Sequence, residues 1–364
     1  MRAFSTLSRY IGRQFVVWFL ALMVIVLAII LVLDMVELLR RAGSKPDITL
    51  GLILEMSLLK LPQTGQQVFP FVILFAGMFT FWRLTRSNEL IVARAVGVSV
   101  WQFLTPVLIA AALIGVAKVT LINPVGAIFI AKYDQLEERY LKLRASPLDV
   151  TRAGLWLRQE SPEGFVFIHA ESVRPEKLEL ADVSVFSFDR DGEFQSRADA
   201  RLAKLGVGRW ELPGAVIHRR ERPGQTVDVH YVPTTINMAT IEESFAPPDT
   251  ISFWALPRFI STLEATGFAA VRHRIHYHSL LAQPFLLCAM VLFAAAFSLR
   301  MTRRGGALQM VSGGVATGFL VFLTSDIVRT LGLSEVIPVP LAAWSPAGAA
   351  LLVAVAVLLH QEDG

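Results

Sequence analysis

The chain of 364 residues has little of several things on which soluble proteins and enzymes depend. Its single cysteine, Cys288, excludes an intrachain disulfide. Charged residues make up 18% of the sequence, against about 25% in ordinary soluble chains. The sequence lacks the G-x-x-x-x-G-K-[ST] pattern that cradles a nucleoside triphosphate. Its histidines and carboxylates show no spacing typical of a catalytic cluster or a metal site, so we expect neither catalytic residues nor a metal.

Apolar residues, by contrast, make up 54% of the sequence and concentrate in six uncharged runs. Each run is long enough to cross a hydrocarbon core of about 30 Å as a helix. The first run is too long for the apolar part of a signal peptide, and no small-residue cleavage site follows it. The sequence therefore predicts six transmembrane helices. The runs are Gln14–Leu33, Leu61–Trp82, Ala95–Ala117, Ile275–Leu299, Gly305–Ser325 and Val336–His360.

Arginines in the short loops predict the orientation of these helices. Three clusters of arginines lie on one side of the membrane, and the positive-inside rule places that side in the cytoplasm together with both termini. Arg40 and Arg41, with Lys45, then lie outside, against the rule, which invites a functional explanation. The three clusters comprise Arg2, Arg9 and Arg13; Arg83, Arg86 and Arg94; and Arg300, Arg303 and Arg304.

A charged and polar segment separates the third run from the fourth, and its short alternating stretches predict strands. Val183–Phe188, followed by Asp191-Gly192, predicts a strand and a hairpin turn. We expect its Val and Phe side chains to point inward, and Ser184 and Ser187 to point outward. Further predicted strands are Phe165–Ile168, Trp210–Leu212 and Thr226–Val232.

The spacing of these strands predicts a small antiparallel β-sandwich or jelly roll. The predicted organisation is residues 1–131 for the first three membrane helices and 132–250 for an external β domain. Residues 251–364 follow as a connecting helix and the last three membrane helices. The fold class is thus an α-helical membrane protein with an inserted all-β domain.

The loop between the second and third runs predicts a short amphipathic helix over residues 86–97. Ser87 is its predicted N-cap, Glu89 in the first turn suits the helix dipole, and Gly97 is a natural stop. A helix this short is marginal alone. The pattern indicates either a rigid peg for a partner's cleft or a solvated or membrane-surface loop. The residues that share one face of it are Leu90, Ala93 and Arg94.

Over nearly its whole length the chain resembles the LptF/LptG permease family. Arg86–Gly97 is similar to the family's coupling helix, and Val36–Gly43 is closer to the LptG branch than to the LptF branch. Leu61-Pro62, Phe69-Pro70 and Gln283-Pro284 also match. The resemblance implies six transmembrane helices, an external β-jelly-roll, and a role as one permease half of an ABC transporter that exports lipopolysaccharide.

The resemblance also implies a set of partners in the inner membrane of a Gram-negative bacterium. They are an LptF-like permease, an LptB-like ATPase dimer, the jelly-roll proteins LptC and LptA, and lipopolysaccharide, with no nucleic acid. ATP and Mg would be used by the ATPase, and we expect no cofactor on this chain. The residues that the resemblance assigns to coupling with the ATPase are Arg86, Glu89, Leu90, Ala93, Arg94 and Gly97.

Basic residues near the predicted outer ends of the helices are candidate contacts for the substrate. Arg40 and Arg41 offer forked donors for phosphates of lipid A, or they are ordinary interfacial anchors. Lys60 and Lys118 either join them or snorkel to the interface.

Two acidic positions, one basic position and one apolar position complete the set of candidate and divergent residues. Asp326 and Arg329 lie one turn apart near the outer end of the fifth run, as a functional pair or as a simple i, i+3 pair. The chain departs from the family at Leu280, where a lysine is usual, and at Asp34, where some relatives carry a basic residue.

Other classes of function remain open from the residues alone. The alternatives are that the chain is the LptF half, that it is a permease that transmits force without moving lipid, or that it is a secondary transporter. Secondary transporters typically have broken helices and charged sites at the membrane midplane, whereas the charges here cluster at helix ends. A membrane-bound enzyme is the least favoured class, because no catalytic cluster is present in the sequence.

Overall fold

A computed structural model describes residues 2–43, 48–95, 97–141, 155–161, 164–174, 179–189, 192–206, 208–219, 222–234, 247–265, 270–299 and 307–362. Lys45, Asp191, Arg300, Arg303 and Arg304 lie outside these ranges, and the side chains of Arg2, Ala93 and Arg94 are outside the described set. The chain divides into a membrane unit and a β unit. The membrane unit is Met1–Leu141, Pro248–Leu256 and Val271–Gly364; the β unit is Lys142–Pro247 and Pro257–Ala270.

The membrane unit is built of long helices, and the prediction of six membrane spans is confirmed within the described residues. A π-helical turn, Lys118–Ile122, joins α4 to α5, so that the third span runs unbroken from Val100 to Tyr140. The short helix α6, Leu256–Ala265, precedes α7. The other helices are α1 (Arg2–Ala42), α2 (Leu50–Arg86), α3 (Glu89–Ala95), α4 (Val100–Ala117), α5 (Asn123–Tyr140), α7 (Val271–Leu299), α8 (Ala307–Leu333) and α9 (Val339–Glu362).

The helices α2 and α7 form the centre of the membrane unit. In the most apolar stretch of 18 residues, 56% of the residues of α2 and 61% of those of α7 are buried within the chain. The corresponding share is 11% in each of α1 and α8. Because α1 and α8 are apolar but largely uncovered, their outer faces contact lipid or another protein. The exposed side chains of α8 include Phe319, Leu320 and Ile327.

The β unit contains an antiparallel sheet of six strands that pair in chain order, from β1 to β6. The predicted strands are confirmed within it, and the described elements between Leu155 and Pro233 are all strands. The described strands form a meander, which differs from the Greek-key order of the predicted jelly roll. Their bounds are β1 (Leu155–Ser161), β2 (Gly164–Arg174), β3 (Glu179–Asp189), β4 (Phe194–Gly206), β5 (Arg209–Arg219) and β6 (Arg222–Pro233).

The prediction about the two faces of β3 is wrong. Val183 and Val185 are buried in the core of the β unit, but Phe188 lies on the opposite face, where its ring stacks on Phe165 at 5.2 Å. Side chains alternate along a strand, so Val and Phe positions separated by an odd number of residues cannot share a face. For the same reason Ser184 and Ser187 lie on different faces.

Candidate functional site

A cavity of about 400 Å³ lies within the membrane unit, between α2, α7, α8 and α9. The π turn and the segment Pro248–Leu256 border it. Its polar lining residues are Gln63, Gln66, Gln67, Lys118, Asn123, Asp249, His276, Ser279, Gln283, Ser325, Asp326 and Arg329. Its apolar lining includes Pro70, Phe71, Leu286, Met290, Val321, Phe322, Ala342 and Ala347.

The lining changes from polar to apolar along the helices. On α7, His276 and Gln283 come first, and Leu286 and Met290 follow one to two turns further along. On α2 the glutamines likewise precede Pro70. Helix α8 runs the other way in sequence, with its apolar lining first and its charged pair last. The cavity therefore has a polar end and an apolar end, as a site for an amphiphile requires.

Lys118 places a buried amine at the polar end of the cavity. The residue is only 4% exposed, and its Nζ donates a hydrogen bond of 2.6 Å to Oε1 of Gln283. The same Nζ lies 5.4 Å from the ring centroid of Phe69. Among the described residues no carboxylate lies within ion-pair distance of this amine, so it can accept a negatively charged ligand group without first losing a salt bridge.

Asp326 and Arg329 line the same cavity. The imidazole of His276 and the carboxylate of Asp249 are also there, with Nδ1 and Oδ1 3.4 Å apart. The structure thus brings Lys118 together with Asp326 and Arg329, although the sequence placed them on two separate segments.

The other candidate cations lie outside the cavity lining, and each is paired with a carboxylate. Arg40 pairs with Glu37 one turn earlier on α1 at 2.8 Å. Arg41 pairs across to Glu137 on α5, also at 2.8 Å.

The unexpected acid on α1 has a structural explanation. Oδ1 of Asp34 lies 2.9 Å from Nζ of Lys60 on α2, and both side chains are at least half buried. Charges that leave water need a partner, so Asp34 and Lys60 neutralise each other between the two helices.

The short helix between the second and third spans exists, but it begins differently from the prediction. The prediction of Ser87 as its N-cap is wrong, because α2 continues to Arg86 and Ser87 closes that helix, with Oγ donating to the carbonyl of Arg83 at 3.0 Å. The chain then turns at Asn88, whose φ is 62°. Gly97, at φ 87°, follows the helix end as expected.

The contacts of the short helix distinguish its residues. Leu90 is 5% exposed and packs in the core of the membrane unit, so it anchors α3 to its own chain. Glu89 accepts a hydrogen bond of 2.8 Å from Oγ of Ser87. The guanidinium of Arg86 lies 5.2 Å from the ring centroid of Trp82. For Ala93 and Arg94 the structure describes only the backbone, which belongs to α3.

Sequence reasoning missed Asp249, His276 and Gln283. A signal was available for two of them, since His276, Ser279 and Gln283 follow the i, i+3, i+7 spacing of one helix face within an otherwise apolar run. A polar stripe on a membrane helix indicates a buried polar site. Asp249 gave no such signal.

Comparison with known proteins agrees with this architecture. A sequence model described as "Lipopolysaccharide export system permease LptF/LptG" matches residues 9–360. The chain is 23% identical over 374 residues to the lipopolysaccharide export system permease protein LptG of Escherichia coli K12, covering 99% of this chain and 100% of that protein. The LptG of Haemophilus influenzae is 22% identical over 357 residues, covering 94% and 95%. Since the family match spans almost the entire sequence, this chain belongs to the LptF/LptG family of lipopolysaccharide export system permeases.

Proposed function

We propose that this chain is the LptG-like permease subunit of an exporter that extracts lipopolysaccharide from the inner membrane. The observation that carries the proposal is the polar-to-apolar lining of the cavity. A phosphorylated sugar headgroup matches the end that holds Lys118 and Arg329, and acyl chains match the end that holds Leu286 and Met290. The full-length similarity to LptG proteins supports the same subunit assignment.

The arrangement of the subunit follows from its surfaces and its charges. The arginine-rich loops support an orientation with both termini in the cytoplasm and the β unit in the periplasm. The uncovered faces of α1 and α8 suit an LptF-like partner. A separate LptB-like ATPase dimer would supply ATP hydrolysis, using Mg. Co-purification in mild detergent, followed by mass spectrometry of proteins and lipids, tests this set of partners.

The β unit would pass lipid onward to LptC and LptA. Its first and last strands, β1 and β6, are the edges of the described sheet. Exposed edges can pair with a strand of another protein, so one of them is the proposed junction with the LptC jelly roll. Crosslinks from LptC to the edge strands, and none to the central β3, are the expected result.

A photo-crosslinker in the cavity tests the lipid assignment. Placed at Leu286, which lines the cavity, it should capture lipopolysaccharide. Placed at Val353 on α9, which is 53% exposed and outside the lining, it should capture bulk phospholipid instead. Capture of the same lipids in the same ratio at both positions would refute the cavity as the substrate site.

Arg40 and Arg41 remain proposed phosphate contacts at the end of α1. A phosphate there would have to replace Glu37 and Glu137, which now pair with the two arginines. Arg40 is the better candidate, because its side chain is 74% exposed, against 37% for Arg41. Replacing both with glutamine should lower lipopolysaccharide capture by a crosslinker on α1, while an unchanged yield would leave them as structural ion pairs.

Coupling to the ATPase is proposed for the exposed side of α3 and the turn before it. Glu89→Lys reverses the charge in the first turn of α3 and removes the acceptor for Ser87. This charge reversal in the proposed contact should weaken co-purification with the ATPase. A lysine is also unfavourable at a helix N-terminus, so the start of α3 itself would be less stable. Glu55→Lys, on α2 in an exposed pair with Lys132, is the matched charge reversal and should leave that association intact. Wild-type association of Glu89→Lys would exclude Glu89 from the contact.

A further inference from the structure

The third membrane span contains a π turn at the residue that enters the cavity. The turn covers Lys118–Ile122, and the N–H of Asn123 donates to the carbonyl of Lys118 five residues earlier. A π turn adds a residue to the helix and rotates the side chains that precede it relative to those that follow. Where the turn begins therefore decides which side chain of the third span faces the cavity.

Pro124, next after Asn123, leaves a gap in the hydrogen bonding of this turn. Proline has no N–H, so it cannot donate to the carbonyl of Thr120 four residues earlier. That carbonyl accepts a hydrogen bond of 3.1 Å from Nε1 of Trp254, which lies 134 residues away in the sequence. An indole N–H from outside the helix thus reaches a carbonyl of the turn beside the place where proline removes a backbone donor.

The segment Pro248–Leu256 holds Trp254 in place through its neighbours. The backbone N–H of Phe253 donates to Oδ1 of Asn123 at 2.8 Å, and the ring of Phe253 stacks on Tyr277 of α7 at 5.5 Å. Phe253 and Leu256 are buried in a cluster with Val119. Trp254 therefore approaches the π turn from a segment fixed on both α5 and α7.

We propose that Trp254 is a positioning residue for Lys118. By completing the hydrogen bonds of the π turn, it keeps the turn in the register that directs the amine of Lys118 onto Gln283 in the cavity. The effect on lipid rests on the proposed function, but the effect on Lys118 does not.

A different role for Trp254 predicts different results. Its side chain is 65% exposed, and tryptophans at membrane interfaces act as anchors through their amphipathic rings. An anchor depends on the ring and its depth in the interface. A positioning residue depends on the N–H, and its loss can be compensated by another donor to the carbonyl of Thr120.

The test measures the reactivity of the Lys118 amine in the full chain, purified from membranes in mild detergent, with an amine-labelling anhydride and mass spectrometry. Trp254→Phe should raise the labelling rate of Lys118 about fivefold, the factor that corresponds to one net hydrogen bond. Trp344→Phe removes an indole N–H from α9 outside the cavity lining and should leave the rate unchanged. An unchanged rate in Trp254→Phe, with the fold intact, would overturn the proposal.

A second substitution separates positioning from anchoring. Pro124→Ala restores a backbone N–H four residues after Thr120, so the double variant Trp254→Phe/Pro124→Ala should return Lys118 to its low reactivity. An anchoring role predicts no such rescue. If the double variant kept the high reactivity of Trp254→Phe, the proposal would be refuted.

Capture of lipid by the photo-crosslinker at Leu286 is measured in the same variants. If the wild-type chain captures no lipopolysaccharide but the labelling pattern holds, the proposed function fails and the positioning role stands. If the wild type captures lipopolysaccharide and labelling is unchanged in Trp254→Phe, the positioning role fails alone.

Discussion

Replacing Lys118 with glutamate is expected to lower lipopolysaccharide capture in the cavity by a factor of ten or more. Lys118 and Arg329 are the basic residues of the described lining, opposed by the carboxylates of Asp249 and Asp326. The substitution therefore leaves one basic side chain against three carboxylates in this lining. Hydrogen bonds to a charged group contribute about 1.5–3 kcal/mol, and like charges add repulsion that is stronger at a position as buried as that of Lys118.

A charge reversal elsewhere on the same span distinguishes the effect of Lys118→Glu on lipid capture from that of a general loss of positive charge. Lys132 lies on α5, is 57% exposed in its pair with Glu55, and is outside the cavity lining. Lys132→Glu should leave lipid capture near the wild-type level, since exposed ion pairs contribute little. Equal losses in both variants, or full capture in a folded Lys118→Glu chain, would contradict a role for Lys118 in holding the substrate.

The spans and strands could be predicted because they depend on local patterns. An uncharged run of more than 18 apolar residues has few alternatives to a membrane helix, and the alternating stretch predicted the strand β3, although not its two faces. The helix ends were less predictable. Helix α1 continues past Leu33 to Ala42 because its ion pairs, Asp34 with Lys60 and Arg41 with Glu137, stabilise the charged end against its neighbours.

The candidate site was only partly predictable, because packing assembles it from distant segments. Lys118 could be predicted as a candidate because it is a charged residue beside an apolar run. Its partner Gln283 could not, because it lies 165 residues away. The π turn left one local trace, the Asn123-Pro124 pair, which a sequence pattern alone cannot distinguish from a helix start. Ser87 was misassigned because a serine before an acidic residue has the same local pattern at the end of one helix as at the start of another.

Gly115→Ala is expected to destabilise the membrane unit by about 1–3 kcal/mol, the usual range for an overpacked core. A methyl group at Gly115 would lie 2.7 Å from Cα and 3.3 Å from N of Pro284 on α7. These are backbone atoms, which cannot rotate away as the end of a side chain can. Because Pro284 follows Gln283, separating α4 from α7 here would also lengthen the hydrogen bond between Lys118 and Gln283.

The same substitution at an open position provides the control. A methyl group at Gly348 on α9 meets no atom within 4 Å, so Gly348→Ala should be neutral or slightly stabilising, since alanine is favoured over glycine in helices by about 1 kcal/mol. That intrinsic gain also applies at Gly115, so a net loss there is a lower limit on the cost of the clash. The thermal midpoint in detergent and the labelling rate of Lys118 are the two readouts. Gly115→Ala should lower the midpoint and raise the labelling, whereas an unchanged midpoint together with unchanged labelling would show that α4 and α7 do not need this close approach to hold Lys118 in the cavity.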